Sequence, residues 1–384
     1  MTVLPPLSLY VHLPWCVSKC PYCDFNSHAL KTALPERGYV DALLRDLDLD
    51  LPRVSGRRIE SVFFGGGTPS LFSAAAIARL LEEIRCRIAF APDAEITLEA
   101  NPGSVEHGRF AEYKAAGVTR LSIGIQSFNP RHLEKLGRIH SADDALHAAG
   151  EAHAAGLDNF NLDLMYGLSG QTLDQATADV RQAIALAPAH LSHYQLTLEP
   201  NTLFHAHPPP LPEDDSIWAM QQACQALMQD RGFAQYEISA YATSGRRCRH
   251  NLNYWRFGDY LGIGAGAHAK LTDIDGTRWR MWKLKHPASY LRDAGSPSGI
   301  GGINVVTAEE LGFEFMLNRL RLVERFTETE FETASGQNFD SVRPAAEQAV
   351  ALGLMAHDGG EWQVTSRGHT YLNELQQLFL PATR

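Results

Sequence analysis

The sequence predicts an α/β protein with a partial (β/α)6 barrel, then a mixed α+β bridging segment and a C-terminal helical, winged-helix-like module. Three observations predict this class. Six short apolar runs alternate with amphipathic segments in the first half of the chain. Most of these runs end in glycine, cysteine or polar residues rather than in ordinary turns. A proline-rich stretch just after residue 200 ends the alternation.

The elements of the first half follow from this alternation. The apolar runs predict strands at residues 7–13, 61–64, 95–98, 120–125, 160–165 and 191–198. Apolar residues at helical spacing predict helices at 39–51, 74–88, 106–117, 141–156 and 172–187. Such βα units imply a parallel sheet with right-handed crossovers. An open doubly wound sheet also fits, but it would concentrate functional groups at one switch point, so the repeated polar strand ends favour a barrel.

The second half predicts two further segments. HAHPPPLP at 205–212 predicts a linker, which divides the chain into residues 1–205, 206–300 and 301–384. In the last segment, apolar periodicity predicts helices at 309–322 and 342–355. HDGGEWQVTSRG at 357–368 predicts a hairpin, and two helices with a hairpin resemble a winged helix.

Composition limits the class of protein. The 384 residues predict two or three compact units, and their 45% hydrophobic content is enough for a sizeable core. A net charge of -10 argues against a nucleic-acid partner, including one for the tail module. The N-terminal residues lack the basic segment of a targeting peptide, and no apolar run approaches the roughly 20 residues that span a bilayer. We therefore predict a cytoplasmic protein.

Three of the six cysteines form a C-x3-C-x2-C pattern after the first predicted strand, namely Cys16, Cys20 and Cys23. A structural zinc site needs four ligands, and His12 or His28 would have to supply the fourth. A redox C-x-x-C motif needs only two cysteines. Three thiolates on a four-iron cluster leave one iron open for another ligand. The residues alone leave these alternatives open, together with three purely structural cysteines.

The longer pattern Y-x-H-x-P-x-C-x3-C-x2-C, from Tyr10 to Cys23, resembles the radical S-adenosylmethionine (SAM) superfamily. Within it, the pattern is similar to the branch that contains oxygen-independent coproporphyrinogen III oxidases and the heme chaperones of the HemW type. The resemblance implies a 4Fe-4S cluster on Cys16, Cys20 and Cys23, with SAM bound to the open iron. It also implies a partial barrel and an electron donor for the cluster.

The same resemblance implies a set of SAM-binding residues along consecutive βα units. Taken alone, GGGTPS at 65–70 would be a tight turn, and Glu99 would be a rim carboxylate. The positions that match the family are Tyr10, Gly66, Gly67, Thr68, Glu99, Gln126, Arg138 and Asp163. In the oxidase, Tyr22, Gly67 and Thr68 would map near a second SAM. GIGAGA at 262–267 formally matches a dinucleotide fingerprint, but it lies in no βαβ unit, so we expect it to pack beside the barrel mouth.

A second motif lies in the bridging segment. His250-Asn251-x-x-Tyr254-Trp255 matches the HNxxYW motif of the heme chaperones, in which the histidine is implicated in heme binding. An imidazole is a usual axial ligand of heme iron, and Cys248 is a second candidate ligand. Basic residues that could pair with propionates are Arg246, Arg247 and Arg249. The alternative is a hydrogen-bonded loop that packs on a core.

Two departures separate the chain from the oxidases. Phe25 stands where the oxidase pattern has a further cysteine, and the first strand begins at about residue 7 without a longer preceding arm. The resemblance therefore implies a heme chaperone that binds heme and transfers it to an acceptor protein. An oxygen-independent coproporphyrinogen III oxidase, which forms protoporphyrinogen IX, is the alternative. Whether the protein is an enzyme stays open, and we assign no catalytic residue. A zinc-stabilised binding module is a third interpretation.

The resemblance also implies partners. We expect heme, a heme-acceptor protein among the respiratory proteins, and the electron donor already named. We also expect exchange between monomer and homodimer, and transient association with a membrane.

Overall fold

The computed structural model describes residues 4–103 and 108–381. The strands are Leu7–Leu13 (β1), Trp15–Cys16 (β2), His28–Ala29 (β3), Arg58–Gly66 (β4), Ala89–Ala100 (β5), Arg120–Gln126 (β6), Phe160–Tyr166 (β7), His190–Gln195 (β8), Ala234–Glu237 (β9), Ala240–Ala242 (β10), Asp259–Ile263 (β11), His268–Thr272 (β12), Arg278–Lys283 (β13), Ile300–Val305 (β14), Phe326–Thr327 (β15), Met355–Asp358 (β16) and Glu361–Val364 (β17).

The helices pack against these strands or join them. They are Glu36–Asp50 (α1), Ala74–Arg87 (α2), Phe110–Ala115 (α3), Pro130–Lys135 (α4), Ala142–Ala154 (α5), Leu173–Ala185 (α6), Leu203–Ala206 (α7), Asp214–Asp230 (α8), Arg249–Trp255 (α9), Pro287–Asp293 (α10), Ala308–Arg319 (α11), Glu328–Ser335 (α12), Arg343–Ala351 (α13), Ser366–Thr370 (α14) and Leu372–Gln377 (α15). In the described residues, no helix combines the length and the apolar character that crossing a bilayer requires.

Six parallel strands form the centre of the fold, in the order β1-β4-β5-β6-β7-β8. These are the six predicted strands, and the predicted partial barrel is confirmed. The outermost strands of this sheet, β14 and β9, do not pair with each other, so the barrel is open within the described part of the chain. Helices α1, α2, α5 and α6 bury apolar side chains in the same core as the strands.

Two short helices of the barrel half differ from the prediction, one in its boundaries and one in its existence. The predicted helix 106–117 corresponds to α3, which is only six residues long, and residues 106 and 107 lie outside the described residues. Helix α4 was not predicted because six residues are too few for an apolar repeat, although Asn129 caps it and Pro130 begins it. Both differences concern short helices, whose stability comes from tertiary contacts rather than from their own sequence.

The bridging segment extends the same sheet on both sides. Strand β11 pairs in parallel with β1, and β12, β13 and β14 continue from it as antiparallel strands. On the other side, β10 pairs with β8 and β9 with β10. The sheet therefore continues across the predicted boundary near residue 205, and the division at 205 and 300 stays a prediction. In the GIGAGA stretch, Gly264 has φ +113°, and a side chain there would collide with the backbone of His12 at the barrel mouth.

The buried carboxylate of Asp259 connects the bridging strands to the barrel through hydrogen bonds. Asp259, at the start of β11, accepts hydrogen bonds from Arg57 Nη1 at 2.8 Å and Lys270 Nζ at 3.1 Å. Thr272 contributes two more, from its backbone N–H and its hydroxyl, both at 2.9 Å. The Asp259 side chain is 0% exposed, so this pairing compensates the cost of burying its charge.

The C-terminal module has its own apolar core, centred on Phe315, Phe331, Phe339 and Trp362. The predicted helices correspond to α11 and α13, and the predicted hairpin corresponds to β16 and β17. Strand β17 pairs with β16 on one side and with β15 on the other, which gives a small antiparallel sheet. Helices with a three-stranded wing agree with the predicted winged-helix-like module. Helix α12 was not predicted.

Candidate functional site

The three cysteines of the first motif lie on the loop that follows β1. Cys16 ends β2, and the loop folds back so that the backbone N–H of Cys23 donates to the carbonyl of Cys20 at 3.2 Å. All three are half-buried free thiols that line one cavity. Burial raises the pKa of the Cys16 thiol and of the Cys23 thiol. The loop therefore holds three sulfur ligands that are accessible from a single space.

The glycine motif at the end of β4 supports this loop. The N–H of Gly67 donates to the Leu13 carbonyl, and that of Thr68 to the Trp15 carbonyl, both at 2.8 Å. A Cβ atom on Gly67 would lie 2.6 Å from the Trp15 carbonyl oxygen. Because that neighbour is backbone, only glycine lets the two segments approach so closely.

One cavity collects most of the residues predicted from the sequence. Its walls include Cys16, Cys20, Tyr22, Cys23, Gly66, Gly67, Thr68, Glu99, Gln126, Arg138 and Asp163. Tyr10 lines a larger neighbouring cavity instead, where its hydroxyl lies 2.7 Å from His12 Nδ1. His250 lines neither cavity. The spatial grouping of eleven predicted residues follows from their positions at or near the carboxyl ends of adjacent parallel strands.

Two recessed carboxyl groups define the electrostatics of this cavity. Burial, together with the nearby charge of Asp163, raises the pKa of Glu99 to about 8, although the Gly66 N–H donates to it at 3.2 Å. Burial also raises the pKa of Asp163, which accepts from Asn161 Nδ2 at 2.7 Å and from Ser122 Oγ at 3.4 Å. Neither forms an ion pair in the described structure. A cationic ligand between them would favour their ionised forms.

A buried guanidinium, that of Arg138, lines the same cavity as these carboxyl groups. Arg138 donates through Nη2 to Asn101 Oδ1 at 2.6 Å and to the Gly124 carbonyl at 2.5 Å, and its Nη1 lies 3.8 Å from Cys20 Sγ. Its Nε is buried and has no partner among the described residues. The site thus offers a positive group beside the Cys20 thiol and two carboxyl groups that a cation could ionise.

Gln126 is the last residue of β6 and has a left-handed backbone conformation. Its φ is +70°, a left-handed value that costs a non-glycine residue roughly 1 kcal/mol or more. Its Oε1 accepts a hydrogen bond from the Tyr194 hydroxyl at 2.6 Å. Tyr194, Ser122 and Gly124 line the cavity but were not predicted from the sequence. The two-residue period of β6, counted back from Gln126, would have found Gly124 and Ser122.

The spacing of the three thiols bears on the choice between zinc and an iron–sulfur cluster. Around a single tetrahedral zinc ion, with Zn–S near 2.3 Å, ligand sulfurs lie about 3.8 Å apart. The three thiols do not form a group whose sulfur atoms all lie within 4.8 Å of one another in the described structure. His12 also has both ring nitrogens engaged, with the Tyr10 hydroxyl and the Asn26 carbonyl. The three thiols as placed do not form a ready zinc site, and three thiolates on one loop fit a four-iron cluster with one open iron.

His250 lies deeper in the barrel, beneath the cavities. It stacks on Phe63 with ring centroids 4.1 Å apart, and its Nδ1 lies 3.1 Å from Cys248 Sγ and 3.6 Å from Glu95 Oε1. Burial alone would lower its pKa, but Cys248 and Glu95 outweigh burial and raise the pKa to about 9. His250 is therefore a buried histidine held between Cys248 and Glu95, both of which favour its protonated form.

The remaining residues predicted to contact heme, two aromatics of the motif and three arginines before it, are divided between cavity and surface. Tyr254 and Trp255 form part of the wall of the larger cavity. Arg247 and Arg249 pair with Glu324 and Asp93. Neither these two arginines nor Arg246 line that cavity. The aromatic pair, rather than the arginines, is placed to contact a ligand there.

Comparisons with known proteins agree with this arrangement. The radical SAM superfamily model matches residues 10–183, and the HemN C-terminal domain model matches residues 306–370. The heme chaperone HemW of Escherichia coli (strain K12) is 51% identical over 380 residues, which cover 99% of this chain and 100% of the relative. The chain belongs to the HemW family. A second HemW, from Haemophilus influenzae, is also 51% identical and covers 99% of both chains.

The HemW fold is shared with a solved structure. Coproporphyrinogen III oxidase (HemN) from Escherichia coli, a radical SAM enzyme, superposes with a TM-score of 0.83 over 98% of this chain and 90% of that chain. Its sequence identity is only 23%, so this likeness concerns the fold. The full-length HemW relatives and the radical SAM match together confirm the family expected from the cysteine motif.

Proposed function

We propose that the protein binds heme and transfers it to an acceptor protein, and that it carries a 4Fe-4S cluster and SAM beside the heme. The observation that carries this proposal is the contact between two cavities. We call the cavity lined by Cys16, Cys20 and Cys23 the cluster cavity. It shares five lining residues with the larger cavity that contains Tyr254 and Trp255, namely Cys23, Phe25, Ser27, Gly66 and Glu99. The HemW relatives, named as heme chaperones, support heme as the ligand.

The residues of the cluster cavity divide into three roles in this proposal. Cys16, Cys20 and Cys23 hold the cluster. When bound, a 4Fe-4S cluster supplies an open iron that chelates SAM and can pass an electron to it. Arg138, with its unpartnered Nε, would pair with the anionic part of SAM, and Glu99 and Asp163 would pair with its cationic part.

The remaining predicted residues position SAM. Gly66, Gly67 and Thr68 bring the backbone close to the cluster loop, and Gln126 extends from β6 towards the same space. Tyr10 closes the side that faces the larger cavity. A second SAM beside Tyr22, as in the oxidase, stays a prediction. We keep His250 in the heme-binding region, since Tyr254 and Trp255 of its motif line the larger cavity.

Location and partners belong to the same proposal. All six cysteines lie within the described residues and are free thiols, as is usual in the reducing cytoplasm. We propose an electron donor for the cluster, a respiratory heme acceptor, exchange between monomer and homodimer, and transient membrane association. Chemical cross-linking in cells that respire would identify an acceptor, and a cross-linked product independent of heme would argue against transfer.

The cluster is tested by anaerobic reconstitution. Wild type should bind about four irons and four sulfides per chain, and Cys20→Ala should lose most of both. Cys86→Ala is the matched control, because Cys86 is an exposed cysteine on α2, remote from the motif. Zinc without sulfide in the wild-type protein would instead support the zinc-stabilised binding module.

The function is tested on the same reconstituted protein. Heme titration, followed by the Soret band, should show saturable binding, and mixing with apo-acceptor should move the heme. An anaerobic assay for protoporphyrinogen IX from coproporphyrinogen III should show no turnover. Clear turnover would instead support the alternative, an oxygen-independent coproporphyrinogen III oxidase.

A further inference from the structure

The larger cavity has the size and lining of a site for a flat aromatic ligand. Its volume is about 810 Å³, which is within the range of roughly 300–1,000 Å³ for small-molecule sites. Aromatic side chains from four separate segments line it, including Phe25, Phe63, Tyr254 and Tyr260. Phe25 is 60% exposed, so an apolar ligand would cover a large aromatic surface that now faces solvent.

Three histidines line this cavity, and they differ in the state of their ring nitrogens. His12 has both nitrogens engaged, at 2.7 Å and 2.9 Å from their partners. His28 has Nε2 3.3 Å from Asn26 Oδ1. His268 is exposed at the start of β12, and neither of its ring nitrogens has a hydrogen-bond partner among the described residues. Of these three, His268 is therefore the histidine with neither ring nitrogen engaged in the described structure, and either nitrogen could bind a metal.

The surroundings of His268 suit an anionic ligand. Its ring stacks on Trp282, on the neighbouring strand, with centroids 6.2 Å apart, which restricts its orientation. Lys285 and Lys19 also line the cavity, and neither forms a salt bridge with a carboxylate in the described part of the chain. Two such ammonium groups match the two propionates of heme.

His250 is poorly placed to bind iron in this conformation. It is 5% exposed, its ring face is covered by Phe63, and its Nδ1 and Nε2 lie 3.1 and 3.4 Å from Cys248 Sγ. His250, Cys248 and Glu95 could hold a bare ion, but Phe63 and Cys248 occupy the space that a porphyrin ring around that ion would need. The same helix places Tyr254 on the cavity wall, four residues and about one turn from His250.

We infer that heme binds in the larger cavity with His268 as an axial ligand of its iron, and that His250 is a positioning residue that holds α9 and its aromatic pair in place. This inference rests on the proposed heme binding and assigns its site. Lys19 and Lys285 pair with the propionates, and the porphyrin lies beside the loop that carries Cys23.

The experiment compares heme titrations of full-length wild type, His268→Ala and His250→Ala, with His207→Ala as an exposed control outside the cavity. His268→Ala should shift the Soret band and weaken heme binding about 10-fold or more, or about 1.4 kcal/mol. Added imidazole should restore the wild-type spectrum. His250→Ala should weaken binding without moving the Soret band and without rescue by imidazole, and His207→Ala should match wild type.

Two results would overturn the assignment. One is a wild-type Soret band and affinity in His268→Ala. The other is a shifted band in His250→Ala that imidazole restores, because that result would make His250 the ligand. Absence of saturable heme binding in wild type would instead remove the proposed function. Circular dichroism of each variant separates loss of a ligand from loss of folded protein.

Discussion

Glu99 is the carboxyl group whose protonation should report SAM binding. Its pKa of about 8 arises from burial and from the charge of Asp163. At pH 7 such a group is about 90% protonated, at pH 8 about 50%, and at pH 9 about 10%. A ligand that brings a sulfonium cation into the cavity favours the ionised carboxylate and expels this proton. Binding at pH 7 should therefore release about 0.9 proton from Glu99.

The perturbation is Glu99→Gln, which keeps the shape of the side chain and removes its proton. Calorimetric titration of reconstituted protein with SAM, in two buffers of different ionisation enthalpy, counts the protons released. Wild type should exceed Glu99→Gln by about 0.9 proton at pH 7, about 0.5 at pH 8 and about 0.1 at pH 9. Any protons that SAM itself releases are the same for both proteins, so they cancel when the value for Glu99→Gln is subtracted from that for wild type. Glu82→Gln, an exposed site on α2, is the matched control and should behave as wild type.

The same pKa predicts a pH dependence for the protein without SAM. The folded state holds the Glu99 proton up to about pH 8, whereas the ordinary pKa is 4.5. Between these values the folded state binds more protons, so rising pH removes up to about 1.4 kcal/mol of stability per pH unit. Glu99→Gln should flatten this slope. Equal proton release by wild type and Glu99→Gln at pH 7, with both saturated, would refute the placement of SAM beside Glu99.

Two further predictions concern the support of the site. Gly67→Ala should displace the Trp15 backbone and lower the iron bound after reconstitution, at a cost of about 1–3 kcal/mol in unfolding free energy; Gly38→Ala, which meets nothing within 4 Å, should retain full iron. Asp259→Ala leaves a buried arginine and lysine without their carboxylate and should cost about 3–5 kcal/mol in denaturant unfolding. The exposed Asp230→Ala should change little, and equal stability of the two aspartate variants would contradict the structural role.

The parallel strands were predictable because they are short, largely apolar runs between amphipathic helices, and β1 shows this most clearly. All but one residue of β1 is buried, and the predicted range 7–13 agrees with the strand. Strand β5 shows the limit of this reasoning, since it begins at Ala89, before Pro92 and Asp93, where local sequence argues against a strand. Pairing with the start of β4 stabilises that extension, and such pairing is not visible in local sequence.

The cavity lined by the three cysteines was predictable to a greater extent than the surroundings of His250. The residues of the cavity lie at or near the ends of consecutive strands, so their order along the chain already implies their proximity. His250, by contrast, contacts Glu95, which is 155 residues earlier in the chain. Strand β11 brings α9 back beside β1, and neither step follows from the motif itself. The burial of His250 therefore required the structure.

The spacing of the HNxxYW motif explains why its histidine matters even if it binds no iron. On α9, His250 and Tyr254 lie four residues apart and so share one face of the helix. Along β5, Glu95 and Glu99 are also four residues apart and share one face of the strand, separated by about 13 Å. His250 contacts Glu95, whereas Tyr254 lines the larger cavity together with Glu99. Loss of His250 should therefore disturb the larger cavity and the cysteine-lined cavity together, and the position of the Soret band, rather than the affinity alone, identifies the iron ligand.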